Sequence, residues 1–271
     1  MSIRMIAVDL DGTLLTDDKQ ISEVNRETLR KAAEKGVYVI LSTGRAWPGA
    51  KGFAAELGLG LPVITSNGAM IVDSATEEIL YQRDMETETA FSVIEEGVRR
   101  GTSQIIWSRN RLYGLPVNER LQDYGRRFGK MTPQPAPLAL LEEEGISKVL
   151  WYDTPENITA WEKELAPRED RSLEAFPNTK VVTSSPTFLE FFHSGVSKAT
   201  AIRTVAAQFG VAKEEIAAIG DADNDLPMLA EAGTAIAMGN ATDRVKNTAD
   251  QITEDNEHDG VALAIRKLLV L

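Results

Sequence analysis

The chain has 271 residues, 43% of them hydrophobic, and a formal net charge of −12. That is more than a typical single domain, so one large or two moderate domains are expected. The acidic balance argues against nonspecific nucleic-acid or anionic-membrane binding, and the absence of cysteine excludes disulfides, thiolate catalysis and thiolate metal sites.

The first element is an apolar run, Ile3 to Val8, that reads as a buried strand and opens without a signal-peptide pattern. It leads into Asp9-Leu10-Asp11-Gly12-Thr13. Asp9 then lies at the strand's C-terminal tip, where open α/β sheets hold their ligands, and Asp11 lies in the following turn. Two carboxylates there can bind a hard divalent cation, and one can attack phosphorus. The same residues also suit an ordinary strand ending in a polar turn.

A helix is predicted over Ser22 to Lys35, stopped by Gly36. Val37 to Leu41 reads as a second strand ending in Ser42-Thr43-Gly44-Arg45. A hydroxyl and free N–H groups at a strand tip suit a phosphate oxygen, and Gly44 lets backbone approach closely. A plain strand-to-loop turn reads the same. A helix from near Pro48 to Gly58 follows, then a strand, Pro62 to Ile64, and Thr65-Ser66-Asn67-Gly68-Ala69. Ala69 to Val72 and Glu78 to Gln82 form a hairpin around the turn 73–76.

From Asp84 the alternation changes. A helix (Thr87 to Arg100) precedes paired strands (Ser103 to Ser108, Arg111 to Leu115), then a helix (Asn118 to Phe128). Pro133 to Pro137 is expected to be an internal loop. A strand (Lys148 to Tyr152), a helix capped by Thr154-Pro155 and two strands (Lys180 to Ser184, Phe188 to Phe192) complete an α+β segment. Trp107, Arg109, Arg111 and Tyr113 are its candidate substrate contacts, or else a surface turn with solvated arginines. His193 stands just before the core resumes, as either a site or a linker residue. His258 reads as structural.

Ser197 is a plausible N-cap for a helix over Ala199 to Phe209. Lys198 then sits in the first turn, where the helix dipole disfavours a cation. That conflict suggests a task for the charge, such as neutralising a phosphoryl group, although a solvated lysine is the common alternative. Ile216 to Gly220 is a further strand, running into Asp221-Ala222-Asp223-Asn224-Asp225 and a helix with Pro227 in its first turn. Three aspartates and an asparagine in five residues repel one another unless a cation or donors compensate. No apolar run approaches the roughly 20 residues of a membrane span.

Taken in order, Asp-x-Asp-Gly-Thr, Ser-Thr-Gly-Arg, the lysine and Gly-Asp-x-x-Asn-Asp resemble the haloacid dehalogenase superfamily of phosphohydrolases. The segment Thr65 to Ala69 and the insertion after it are similar to the Cof-like subclass. The resemblance implies an α/β, doubly wound, parallel-sheet (Rossmann-like) core, residues 1–83 and 194–271. A smaller α+β cap, residues 84–193, would be inserted between the second and third motifs, close over the site and select substrate.

It also implies roles. Asp9 would be the nucleophile that forms an aspartyl-phosphate, and Asp11 the general acid and then base, its carbonyl also holding metal. Thr43 and Gly44 would bind the phosphoryl group, Lys198 would pair with it, and Asn224 would contact phosphate or orient the loop. Asp9, Asp11 and Asp221 would hold Mg²⁺, with Asp225 supporting that shell. Ala199, where the family commonly has glycine, and the extra Asp223 depart from the pattern, and Asp223 has no assigned role.

The expected activity is Mg²⁺-dependent hydrolysis of small phosphate monoesters such as sugar phosphates, in the cytoplasm, with no nucleic-acid or membrane partner. A phosphomutase of the same superfamily would return the phosphoryl group to substrate. A receiver-like module would keep phospho-Asp9 as a signal, against which the proton shuttle Asp11 and the large insertion argue. A P-type pump shares the phosphorylated aspartate but needs membrane spans.

Overall fold

The computed structural model describes residues 2–127, 131–165 and 176–270. These form two compact units, Met1–Tyr81 with Ser197–Leu271, and Gln82–Val196. The first unit begins β1 (Met5–Val8), α1 (Glu23–Glu34), β2 (Tyr38–Leu41), α2 (Trp47–Leu57), β3 (Pro62–Thr65), β4 (Met70–Asp73) and β5 (Ile79–Gln82). The second holds α3 (Thr87–Arg100), β6 (Ser103–Ser108), β7 (Arg111–Leu115), α4 (Glu119–Arg127), β8 (Gln134–Pro135), α5 (Leu138–Glu144), β9 (Lys148–Tyr152), α6 (Pro155–Leu165), β10 (Thr179–Ser185) and β11 (Phe188–His193). The first then resumes with α7 (Lys198–Phe209), β12 (Ile216–Gly220), α8 (Leu226–Glu231), β13 (Thr234–Ala237), α9 (Asp243–Thr248), β14 (Gln251–Ile252) and α10 (Gly260–Leu269).

In the first unit the strand order is β14-β13-β12-β1-β2, with every pairing parallel. All residues of β1 and β12 are buried, as expected of parallel strands covered on both faces. A single bridge, Ser42 to Ile64, continues the sheet toward β3, which turns antiparallel into β4. From β1 the chain leaves to one side for β2 and returns on the other through β12 and β13. The tips of β1 and β12 therefore flank the point where strand order reverses, which is where doubly wound folds hold ligands.

The helix ends follow local chemistry. Ser22 Oγ accepts the Asn25 N–H at the start of α1. Gly58 ends α2 at φ 67°, a left-handed value that glycine adopts without strain. Ser197 and Thr200 form a reciprocal capping box at the start of α7.

The second unit carries a sheet of order β10-β11-β9-β6-β7-β8, antiparallel except for β7 with β8. Two expectations change here. The proline-rich stretch is not a plain loop, because Gln134 and Pro135 pair in parallel with Tyr113 and Gly114. The helix α5 that follows was not anticipated. The helix expected to end at Phe128 reaches Arg127, and Phe128 lies outside the described residues. No described helix is long and apolar enough to cross a membrane.

Candidate active site

Asp9 follows β1 directly, and its N–H donates to the Ile219 carbonyl of β12 at 3.1 Å, so the ladder fixes the first carboxylate. Lys198, at the first position of α7, reaches across to it. Its Nζ lies 2.5 Å from Asp9 Oδ1 and 2.6 Å from Asp225 Oδ1, and its side chain is wholly buried. The unfavourable position of a cation at a helix N-terminus is thus offset by two buried carboxylates. Burial alone would lower the lysine's pKa, but Asp225 and Asp9 outweigh it and hold the ammonium charged.

Asp225 is fully used. Its Oδ1 takes Lys198, and its Oδ2 accepts the Asp221 and Ala222 N–H groups at 3.0 and 3.1 Å. Gly220 makes room for it, since a Cβ there would come within 2.6 Å of the Asp225 side chain. Asp225 thereby shapes the loop that presents Asp221. Asp221 Oδ1 accepts from the Thr13 hydroxyl at 2.8 Å. Gly12, at φ 81°, faces Asp221 so closely that a Cβ would lie 2.5 Å from its Oδ2. Asn240 Nδ2 donates to the Gly12 carbonyl at 2.8 Å and steadies the same turn.

Oxygens of Asp9, Asp221 and Asp225 lie within 4.8 Å of one another. Three carboxylates facing one ammonium leave excess negative charge. Burial pushes the Asp9 carboxyl well above the usual range; the Asp225 charge adds to this and Lys198 opposes it. Burial likewise pushes Asp221 up to about 6, against the Thr13 hydrogen bond. An all-oxygen, net-negative donor set fits a hard divalent cation, which would relieve this repulsion. With Asp225 committed to Lys198 and two N–H groups, Asp9 and Asp221 are the carboxylates with capacity for it.

Asp11 stands apart from this cluster. Arg45 grips both its oxygens, Nε to Oδ2 at 2.6 Å and Nη2 to Oδ1 at 2.7 Å, and Lys19 Nζ lies 3.2 Å from Oδ1. Burial would raise its pKa, but the Arg45 hydrogen bonds and charge, with Lys19, hold it below the usual range. The guanidinium is anchored by the Gly49 carbonyl at 3.2 Å and lies over the Phe53 ring at 5.0 Å.

Thr43 is buried, its Oγ1 accepting the Arg45 N–H at 3.1 Å and its own proton left to donate elsewhere. Gly44 was expected to admit a phosphate. What fills the space over it is the Asn67 amide, with Oδ1 only 3.0 Å from where a Cβ would stand. Asn224 Nδ2 donates to that same Oδ1 at 3.1 Å. Asp223 points elsewhere, to Arg244 at 2.9 Å and Thr242 at 3.2 Å.

Thr13, Arg45, Asn67 and Asn240 received no role from the sequence. Thr13 and Arg45 close the first two motifs, so their neighbours were a usable signal; Asn240 carried none. In the second unit, two of the proposed contacts are corrected. Trp107 and Tyr113 are buried within that unit, Tyr113 in its apolar core. Arg109 and Arg111 reach Glu144, through its carbonyl at 3.4 Å and its carboxylate at 3.5 Å. His193 bonds Arg83 and the Gly195 N–H, both at 2.9 Å, within the segments that enter and leave the unit. His258 pairs with Asp255 at 2.6 Å on the surface.

Residues 6–265 match the family of haloacid dehalogenase-like hydrolases. The chain is 35% identical over 278 residues to the 5-amino-6-(5-phospho-D-ribitylamino)uracil phosphatase YcsE of Bacillus subtilis, covering 98% of this chain and 96% of that one. It is 30% identical to YitU, named for the same activity in the same organism, over 98% of both chains. A solved structure of a haloacid dehalogenase-like hydrolase from Bacteroides thetaiotaomicron superposes with a TM-score of 0.86 at 31% identity, covering 98% of this chain and all of that one. With a parallel sheet whose central strand tip carries Asp9 beside Lys198, and with these relatives along its whole length, the chain belongs to the haloacid dehalogenase superfamily, as a phosphoric monoester hydrolase of its Cof-like group.

Proposed function

We propose that the enzyme is a Mg²⁺-dependent phosphatase of small phosphate monoesters, sugar and sugar-alcohol phosphates among them, working through an aspartyl-phosphate on Asp9. The observation that carries this is the buried bridge of Lys198 between Asp9 and Asp225, in a centre with more carboxylates than cations. Asp9 and Asp221, with the Asp11 carbonyl, would hold the metal. When bound, Mg²⁺ would offset the charge of the carboxylates and of the phosphate.

Each step uses a residue of this chain. Asp9 Oδ2, the oxygen not bonded to Lys198, forms a bond to phosphorus as the ester P–O bond breaks. The leaving oxygen takes a proton from Asp11, which carries one only after one of its oxygens leaves the Arg45 fork while the other stays held. The resulting Asp11 carboxylate then accepts a proton from water as that water attacks phosphorus. The Asp9–phosphorus bond breaks and inorganic phosphate leaves. Thr43 donates its hydroxyl proton to the phosphoryl group, and Lys198 balances its charge. The inserted residues 84–193 select the leaving group.

The names of YcsE and YitU make a ribitylamino phosphate ester the first natural substrate to test. The experiment is phosphate release from a panel of that ester, sugar phosphates and p-nitrophenyl phosphate, with Mg²⁺ and with chelator. Mg²⁺-dependent release is expected. A folded, Mg²⁺-binding protein that releases phosphate from no member would reject the phosphatase, and isomerised sugar phosphate in its place would identify a mutase.

A further inference from the structure

Ser66, Asn67 and Gly68 are three consecutive residues at positive φ, 50°, 56° and 98°. Left-handed backbone is uncommon for non-glycine residues, and two in succession persist only where the surroundings over-determine them. The surroundings here are specific. The Ser66 N–H donates to the Arg45 carbonyl at 2.8 Å, and the Asn67 N–H to the Thr43 carbonyl at 3.0 Å. Gly68 presses on the start of α7, where a Cβ would come within 2.2 Å of the Ser197 carbonyl oxygen. The strained turn is thus pinned to the Thr43–Arg45 loop on one side and to the residue preceding Lys198 on the other.

The consequence is the placement of one amide. Asn67 extends over Gly44, and its Oδ1 accepts from Asn224 Nδ2 at 3.1 Å. Asn224 is otherwise exposed on the loop that carries Asp221 and Asp225. The main chain of Asn67 therefore holds Thr43 while its side chain holds Asn224. We infer that Asn67 is a positioning residue that ties these two phosphate-facing loops together, and that residue 44 is glycine to admit its amide. The inference rests on the phosphatase reading, in which Thr43 donates to the phosphoryl group and Asn224 contacts phosphate or orients its loop.

The test is a cycle of Asn67→Gly and Gly44→Ala, alone and together. Glycine suits the left-handed backbone at 67 and removes only the amide. Residue 44 is outside the left-handed region, so alanine there strains no backbone and acts by pushing on the Asn67 amide. Asn67→Gly should raise KM and the inhibition constant for inorganic phosphate about 3- to 10-fold, the worth of one hydrogen bond, with an unchanged melting temperature. Gly44→Ala should reproduce that defect in the parent and add nothing once Asn67 is glycine. Parent-like kinetics for Asn67→Gly, or a Gly44→Ala penalty of equal size in both backgrounds, would overturn the tie. An unmodified enzyme that releases no phosphate with Mg²⁺ would reject the phosphatase reading itself, a separate result.

Discussion

Arg45 holds Asp11 by both carboxylate oxygens, at 2.6 and 2.7 Å, while Asp9, two residues earlier, is bound by Lys198. Two aspartates of one turn thus have different cations. One is buried beside other carboxylates with its pKa driven up; the other is half exposed with its pKa driven down. These shifts run opposite to the roles proposed, since a nucleophile must be ionised and a general acid protonated. Turnover thus calls for a cation at Asp9 and for one Asp11 oxygen to leave Arg45.

Arg45→Ala should therefore impair proton transfer more than phosphate binding. Without its fork, Asp11 loses a fixed orientation, and a positioned acid–base group contributes about 10²- to 10⁴-fold. The expected loss in kcat/KM, which reports formation of the aspartyl-phosphate and not its hydrolysis, is about 10- to 100-fold on alkyl phosphates. It should be much smaller on p-nitrophenyl phosphate, whose leaving group needs no proton. Arg45→Lys should recover only part, because an ammonium cannot match both oxygens. Equal losses on the two leaving groups would contradict the assignment.

Asp9→Asn should abolish turnover without unfolding the protein. Asparagine keeps an oxygen for Lys198 and removes a charge that burial and Asp225 make unfavourable. The sign follows from linkage. The folded pKa is raised, so the group's stabilising contribution belongs to its protonated form and is lost as pH rises through that pKa. At neutral pH the ionised side chain is a cost, and the variant should melt at the same temperature or a few degrees higher, about 2–4 °C per kcal/mol for a unit of this size. Calorimetry beside a phosphate-release assay checks both halves.

Much of the site was legible because strand tips report it. Asp9, Thr43 and Asp221 each follow an apolar run, and parallel pairing brings the ends of β1, β2 and β12 together whatever the loops do. Lys198 was legible through a local conflict between charge and helix dipole. Arg45, Asn67 and Asn240 were not, because their roles are contacts across 34, 157 and 228 residues that no periodicity encodes. Trp107 and Tyr113 were misread for a related reason. All six residues of β6 and the middle of β7 are buried, so alternation could not separate an open face from a packed one.

Metal binding should compete with protons. Burial pushes the Asp221 carboxyl up to about 6 and Asp9 above its usual range, while a cation requires both as carboxylates. Mg²⁺ affinity should thus weaken as pH falls through about 6, where Asp221 takes up a proton, by up to roughly tenfold per pH unit for each proton displaced. Calorimetric titration in buffers of different ionisation enthalpy should detect proton release between pH 5 and 6.5. Binding without proton release across that range would contradict a metal on these carboxylates. Asp221→Asn should remove most of the affinity.

Lys198→Met should be the most destabilising single change at the site. The side chain is wholly buried, and its removal leaves Asp9 and Asp225 facing each other in the interior without their shared cation. Breaking a buried pair from one side costs about 3–5 kcal/mol, because the remaining charge stays desolvated. Urea unfolding at pH 7 should show that loss. Adding Asp9→Asn to Lys198→Met should return part of it, since one of the two stranded charges is then neutral. A cost for Lys198→Met below about 1 kcal/mol, the scale of an exposed ion pair, would mean that water reaches the bridge and that the site is not the closed electrostatic unit described above.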